Sequence, residues 1–252
     1  MIRNLETLLE RENYPIEPHL GRDIGAGHLR GWGLEYGGLY DQVAADPVFR
    51  TAFQAAVDRK TLLPPHKLAN LYLIIRYALG EDSGDIYEFG SFRGGSAVFM
   101  GTVLKQLGRD AKVYAFDTYE GMPPTNPVRD LHNAGDFTDV GYQELLSYIR
   151  DAGLEPYVET IRGEFSATLP DVLDRGGKVA LSHVDCDIYE PIKYVVRAAL
   201  PAMAAGSHIV FDDPLHGSCL GAFDAVQELL IRELNLTAEQ VYPHLVFRCP
   251  AI

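Results

Sequence analysis

The chain has 252 residues, 47% hydrophobic and 23% charged, which suits one large α/β domain with a substantial core. A formal charge of −13 without a Lys/Arg cluster speaks against a nucleic-acid partner, because a phosphate backbone needs a local basic patch. No run reaches the roughly 18 apolar residues of a membrane span, MIRNLETLLERENYP lacks a signal-peptide core, and a cytoplasmic location is the expectation.

Residues 1–45 are Gly-rich and aromatic around GWGLEYGGLYDQ and read as an irregular arm, either a surface loop or a cap over a site or dimer contact. An N-terminal arm or lid is therefore assigned to residues 1–60, and a main domain to 61–252. DPVFRTAFQAAVD predicts a helix with Asp46 as N-cap and Pro47 at its first position. PHKLANLYLIIRYALG predicts another that stops at Gly80. From Asp85 onward strands (IYEFG, KVYAF, YVETI, VALSHVD, HIVFD) alternate with helices (SAVFMGTVLKQLG, GYQELLSYIRDAG, SATLPDVLDRG, IYEPIKYVVRAALPAM, CLGAFDAVQELLIREL). That alternation implies parallel strands joined by right-handed crossovers. HLVFRC is expected to pair antiparallel at the sheet edge. TYEGMPPTNPVRDLHNAGDFTDVG is long for a connection and reads as a lid near a ligand.

Two apolar runs empty into carboxylates: VALSHVDCD into Asp185 and Asp187, and SHIVFDD into Asp212 and Asp213. Ligands of open α/β sheets bind outside the carboxyl ends of the strands. If the two strands are neighbours, three or four acids converge, which is unfavourable unless shared protons or a cation relieve it. A hard divalent ion with oxygen ligands is the simplest relief. IYEFGSFRGGSA is a strand, a Gly-rich turn and a helix start, but not the GxGxxG of a dinucleotide site. Glu88 in that strand suits a cationic or hydroxyl-bearing ligand, and Asp117, ending KVYAFD, suits a ribose diol; the competing reading makes them a helix cap and a turn cap.

EFGSFRGGSA, AFDTYEGMPP, GEFSATLP, HVDCDIYEP and IVFDDPLHGSCLGA, in this order and at these spacings, resemble the macrocin O-methyltransferase family over roughly residues 60–230. The resemblance implies a class I methyltransferase (Rossmann-like) α/β fold, a mostly parallel sheet with helices on both faces, plus an N-terminal helical arm. Strand order 3-2-1-4-5 is expected, with the site between strands one and four. It also implies S-adenosylmethionine as cofactor, with Mg2+ or another divalent cation. By resemblance Glu88, Gly90 and Ser96 surround the methionine part, Asp117 binds the ribose with Thr118 beside it, and Gly163, Glu164 and Phe165 lie near the adenine. Asp185, Asp212 and Asp213 would ligate the metal, the 27-residue interval from Asp185 to Asp212 matching the family's. The chain departs at Pro214, where the family often has tyrosine, and at Ala205-Gly206, where Gly-Gly is common. The implied acceptor is a sugar hydroxyl of a glycosylated natural product, and the implied assembly a homodimer or larger homo-oligomer.

A sugar hydroxyl is a poor nucleophile, so a cation that lowers its pKa and a carboxylate that takes its proton are both useful. Asp185 is a candidate for ligand, cofactor contact and base together. Asp187 is the other candidate base, against a role as helix N-cap. Thr61, and Arg93 if not simply exposed, would meet the cofactor carboxylate. Tyr119 and Met122 are expected in the cofactor pocket or lid. His183 reads as a core or supporting residue and His216 as a solvated loop histidine that could act as a base. Cys186, Cys219 and Cys249 have no metal or disulfide spacing, and Cys186 reads as a small buried residue. Rival readings are a catechol or phenol O-methyltransferase using the same metal, an NAD-type oxidoreductase disfavoured by the missing GxGxxG, and a non-catalytic binding module disfavoured by four intact aspartates.

Overall fold

The computed structural model describes residues 38–80 and 83–249. Six strands form one sheet in the order β3-β2-β1-β4-β5-β6. They are β1 (Asp85–Phe89), β2 (Val113–Asp117), β3 (Val158–Arg162), β4 (Val179–Val184), β5 (Met203–Phe211) and β6 (Leu245–Arg248). The first five run parallel, and β6 pairs antiparallel with β5, as HLVFRC led one to expect. The expected 3-2-1-4-5 order holds.

Helices cover both faces, and the strands alternate between two cores. One contains Ile86, Leu181 and Val210 packed with α1 (Leu39–Ala45), α2 (Pro47–Asp58), α3 (Pro65–Leu73), α4 (Gly95–Leu107) and α5 (Tyr142–Asp151). The other contains Tyr87, Phe89, Ile209 and Phe211 packed with α6 (Phe165–Leu173), α7 (Tyr189–Ala199) and α8 (Leu220–Val226). Burial on both faces explains why β4, central in the sheet, reads as an unbroken apolar run.

Asp46 caps α2 by accepting the Val48 N–H at 2.9 Å, with Pro47 at the first helical position. The α1 and α2 segment, assigned by sequence to the arm, packs into the core: Phe49 meets Tyr72 and Phe99 edge-on at 5.5 and 5.8 Å. The rest of the expected arm, residues 1–37, lies outside the described residues. The stop expected at Gly80 is a correction. The helix continues as a π turn over Ile74–Ala78 and ends at Leu79, whose extended backbone donates to the Ile74 carbonyl. Gly80 is not left-handed, so it does not supply the C-cap. A second π turn, Gln227–Glu233, prolongs α8.

Residues 118–141 contain no helix or strand. Asp130, 8% exposed, tethers this lid: its carboxylate accepts the Asn126 N–H at 2.8 Å within the lid and the Tyr189 N–H at 3.0 Å from α7. A Cβ on Gly221 would come within 1.8 Å of that carboxylate, so α8 can lie this close only with glycine there.

Candidate active site

The first half of the site is the turn after β1. Gly90 has φ +93, and a Cβ there would sit 1.8 Å from the Asp185 carbonyl oxygen. Glycine thus lets the ends of β1 and β4 approach each other. Beneath the turn Glu88 is fully buried, accepting from Ser91 Oγ at 2.5 Å and lying 3.2 Å from His183 Nδ1, its register partner on β4. Asp117 ends β2 and accepts three backbone N–H groups, Ser91 at 2.9 Å, Phe92 at 2.8 Å and Tyr119 at 2.7 Å. Burial raises its proton affinity against those bonds. Asp117 is therefore a turn cap, the competing reading of the sequence, and also faces the cavity.

One cavity of about 1110 Å³ joins this turn to the acidic strand tips. Thr61, Gly90, Ser96, Asp117, Thr118, Glu164, Phe165 and Asp185 all line it. Glu88 and Gly163 do not. Glu88 supports the turn from below, and Gly163, at φ +142, donates its N–H to the Asp117 carbonyl at 2.9 Å. Met122 lines the cavity, whereas Tyr119 turns inward, 4% exposed, with its hydroxyl on the Ala115 carbonyl. Arg93 borders the cavity, but its guanidinium is engaged by the lid residue Asp139, at 2.6 Å from the carboxylate and 2.8 Å from the carbonyl.

The second half is acidic. Val184 and Phe211 are register partners, so the tips of β4 and β5 are level. Asp185, Asp187 and Asp213 each bring an oxygen within 4.8 Å of the others. This differs from the expected trio of Asp185, Asp212 and Asp213. Asp212 instead forms a close ion pair with Lys67 Nζ and accepts from His244 Nε2 at 3.0 Å. Asn70 donates to His244 Nδ1 at 3.1 Å, and Gln240 fixes the Asn70 amide by donating to its oxygen at 3.0 Å. His244 thus carries its proton on Nε2, and burial pushes its pKa down to about 4, so the ring is neutral. Although burial acts to raise it, the Asp212 carboxyl is held well below the usual range by the His244 bond and the Lys67 charge. Lys67 in turn stays charged despite burial because Asp212 faces it.

Asp185 and Asp213 have the opposite balance. Burial, then the neighbouring acids, pushes both carboxyls well above the ordinary range. Asp213 Oδ2 is buried without a hydrogen-bond partner among the described residues. Asp187 is not the helix cap that sequence allowed: α7 is preceded by Ile188 at the N-cap, and Asp187, at φ +61, accepts from Cys219 Sγ at 3.4 Å. His183 is fully buried, and His216 is exposed on its loop, 2.7 Å from Ser218 Oγ. Cys186 is only half-buried and lines the cavity. Lys67, His244 and His132 went unseen in the sequence. A lone lysine on an amphipathic helix, a histidine before an edge strand and a histidine in a loop carry no local signal.

The profile described as Macrocin-O-methyltransferase (TylF) matches residues 58–236. The chain is similar to the 8-demethyl-8-(2,3-dimethoxy-alpha-L-rhamnosyl)-tetracenomycin-C 4'-O-methyltransferase of Streptomyces olivaceus, 28% identical over 172 residues, covering 64% of this chain and 65% of that one. It is also similar to the mycinamicin III 3''-O-methyltransferase of Micromonospora griseorubida, 26% identical over 171 residues, covering 63% and 66%. It thus spans just under two thirds of the length of these curated relatives. Among solved structures, the O-methyltransferase NovP superposes with TM-score 0.66 at 23% identity, covering 76% of this chain and 82% of that chain. CalS11, a calicheamicin methyltransferase, superposes with TM-score 0.58 at 21% identity, covering 81% and 93%. The fold is that of class I methyltransferases, and with a profile match across most of its length the chain belongs to the macrocin O-methyltransferase family.

Proposed function

We propose that the protein is an O-methyltransferase that moves the methyl group of S-adenosylmethionine to a sugar hydroxyl of a glycosylated small molecule, as a tailoring step in antibiotic biosynthesis. The observation that carries this reading is the single cavity shared by the β1 turn and the carboxylates at the tips of β4 and β5. The cofactor lies along the turn, with Gly90 and Ser96 at its methionine end, Thr61 near that carboxylate, Asp117 and Thr118 by the ribose, and Glu164 and Phe165 toward the adenine. Glu88 and Gly163 shape the turn and the β3–α6 connection from behind. Methyl transfer is an in-line displacement, so the chain's first task is to hold the acceptor oxygen opposite the sulfonium.

The family implies a divalent cation, and the residues fit one. The group is all oxygen, its members repel one another, and a buried oxygen of Asp213 is unpaired among the described residues. Asp185, Asp187 and Asp213 would hold it, with Asp212 joining only by releasing Lys67. Such an ion would polarise the acceptor hydroxyl and lower its pKa. Asp185 or Asp187 takes the hydroxyl proton, and Pro214 and the loop after it shape the acceptor end. The relatives named for sugar positions of antibiotics support the acceptor class. A homodimer or larger assembly, readable by light scattering, remains part of this reading.

The test is calorimetric titration with S-adenosylhomocysteine, then assay with S-adenosylmethionine against deoxysugar glycosides and catechols, reading methyl gain by mass spectrometry. Methylation of glycosides, abolished by EDTA and by Asp185→Ala with cofactor binding kept, is the expected result. No cofactor binding would refute the enzyme. Turnover of catechols alone would replace the acceptor class, and full activity in EDTA would remove the metal.

A further inference from the structure

The cavity wall holds a second group of potential ligands, of which the methyl-transfer reading uses Asp187 but neither His132 nor Cys219. His132 from the lid, Asp187 after β4 and Cys219 before α8 each point one donor atom at a common spot, all within 4.8 Å of one another. Cys219 Sγ lies 3.7 Å from His132 Nε2 and 3.4 Å from Asp187 Oδ1. A tetrahedral ion about 2.3 Å from sulfur and about 2.0–2.1 Å from nitrogen and oxygen places the sulfur about 3.5–3.6 Å from each of the other two ligands. Both distances to sulfur already match that spacing to within about 0.2 Å. His132 is also oriented from behind, its Nδ1 lying 3.4 Å from the Asp136 carboxylate. A carboxylate on the far nitrogen of a histidine leaves Nε2 free to ligate and raises its basicity. All three side chains border the cavity, which leaves the fourth position open to water or a ligand.

We propose that His132, Asp187 and Cys219 form a site for a borderline-soft divalent ion, Zn2+ by preference, which clasps the lid to the body of the protein. The mixed nitrogen, oxygen and sulfur set selects such an ion over the hard ions suited to an all-oxygen group. On binding, the Cys219 thiol gives its proton to solvent and the thiolate takes the coordination bond. Asp187 belongs to both this group and the Asp185–Asp213 group, so it is a ligand the two sites share. The lid contributes His132 alone, so occupancy is coupled to lid position. None of this depends on the reading of methyl transfer.

The probe is Co2+ titrated into the full-length protein. The expected result is a thiolate-to-cobalt charge-transfer band together with the intense visible bands of four-coordinate cobalt. Cys219→Ser should abolish the charge-transfer band, His132→Ala should weaken binding at least tenfold, and Cys186→Ser should leave both unchanged. Occupancy should slow hydrogen exchange across the lid, and His132→Ala should cancel that protection. A missing band, a band that survives Cys219→Ser, or one that disappears with Cys186→Ser overturns the site. X-ray absorption on the unaltered protein with Zn2+ guards against a variant that fails to fold. One sulfur neighbour at about 2.3 Å supports the proposal, and a shell of nitrogen and oxygen only refutes it.

Discussion

Replacing Asp130 by alanine should free the lid without unfolding the sheet. The buried carboxylate accepts two backbone N–H groups, Asn126 at 2.8 Å and Tyr189 at 3.0 Å. Each bond to a charged acceptor contributes about 1.5–3 kcal/mol, so the lower end gives about 3 kcal/mol for the pair. If the cost falls on the whole fold, the thermal midpoint of a chain this size drops by about 6–12 °C. The lid's other anchors are solvent-exposed ion pairs of Glu120, Arg129 and Asp139, the Phe92–Phe137 ring contact, the His132–Cys219 contact and Val140 in the core at its far end. The cost should therefore appear as local opening. Three kcal/mol is about two decades, so amides between residues 122 and 140 should exchange about a hundredfold faster while those of β1 and β4 change little. Hydrogen exchange read by mass spectrometry decides the matter. Lid exchange within threefold of the parent, with an unchanged midpoint, would refute the tether.

Lys67→Met strands the Asp212 carboxylate in a buried place and should cost about 3 kcal/mol, a midpoint drop of about 6–12 °C; adding Asp212→Asn should recover most of it, and a double variant as unstable as the single one would sink the ion-pair assignment. Gly90→Ala meets backbone strain of about 1–2 kcal/mol before its clash with the Asp185 carbonyl is counted, so S-adenosylhomocysteine affinity should fall at least tenfold by calorimetry. Asp46→Ala removes the α2 cap and should cost about 1 kcal/mol at pH 7. Burial pushes the Asp46 carboxyl up, but the Tyr72 hydroxyl, the Val48 N–H and Arg76 outweigh it and leave the carboxyl below its ordinary value. The cap's charge-dependent contribution is thus complete above about pH 4 and is lost as pH falls through the folded value. Denaturant melts of parent and variant should converge in acid, and a constant gap down to pH 2 contradicts the ionic part of the cap.

The sheet was legible because IYEFG, KVYAFD, VALSHVD and HIVFDD are largely apolar runs ended by glycine or acid, and because they alternate with helical periods. Chain order and right-handed crossovers then leave few ways to arrange five parallel strands. The acids were legible for the same reason, standing where strands stop. Their partition was not. Asp212 and Asp213 are adjacent in sequence, yet one faces Lys67 across 145 positions and His244 across 32, while the other faces Asp185. Such pairings leave no periodic trace. The same holds for His132 and Cys219, 87 positions apart, whose proximity depends on the path of a lid without regular structure. Glu88 was visible as an acid at a strand end, but only the register with His183 shows that it points under the turn.

The hold on Asp212 has a consequence for the order in which the molecule assembles. Its two partners come from opposite ends of the chain: Lys67 from a helix that precedes the first strand, and His244 from the residue that leads into the last. Until both arrive, the Asp212 carboxylate lacks its two fixed partners, so that corner consolidates after the five parallel strands beneath it. A nascent chain stalled before residue 244 would lack both the last strand and the histidine that fixes Asp212, leaving the acidic corner unsettled.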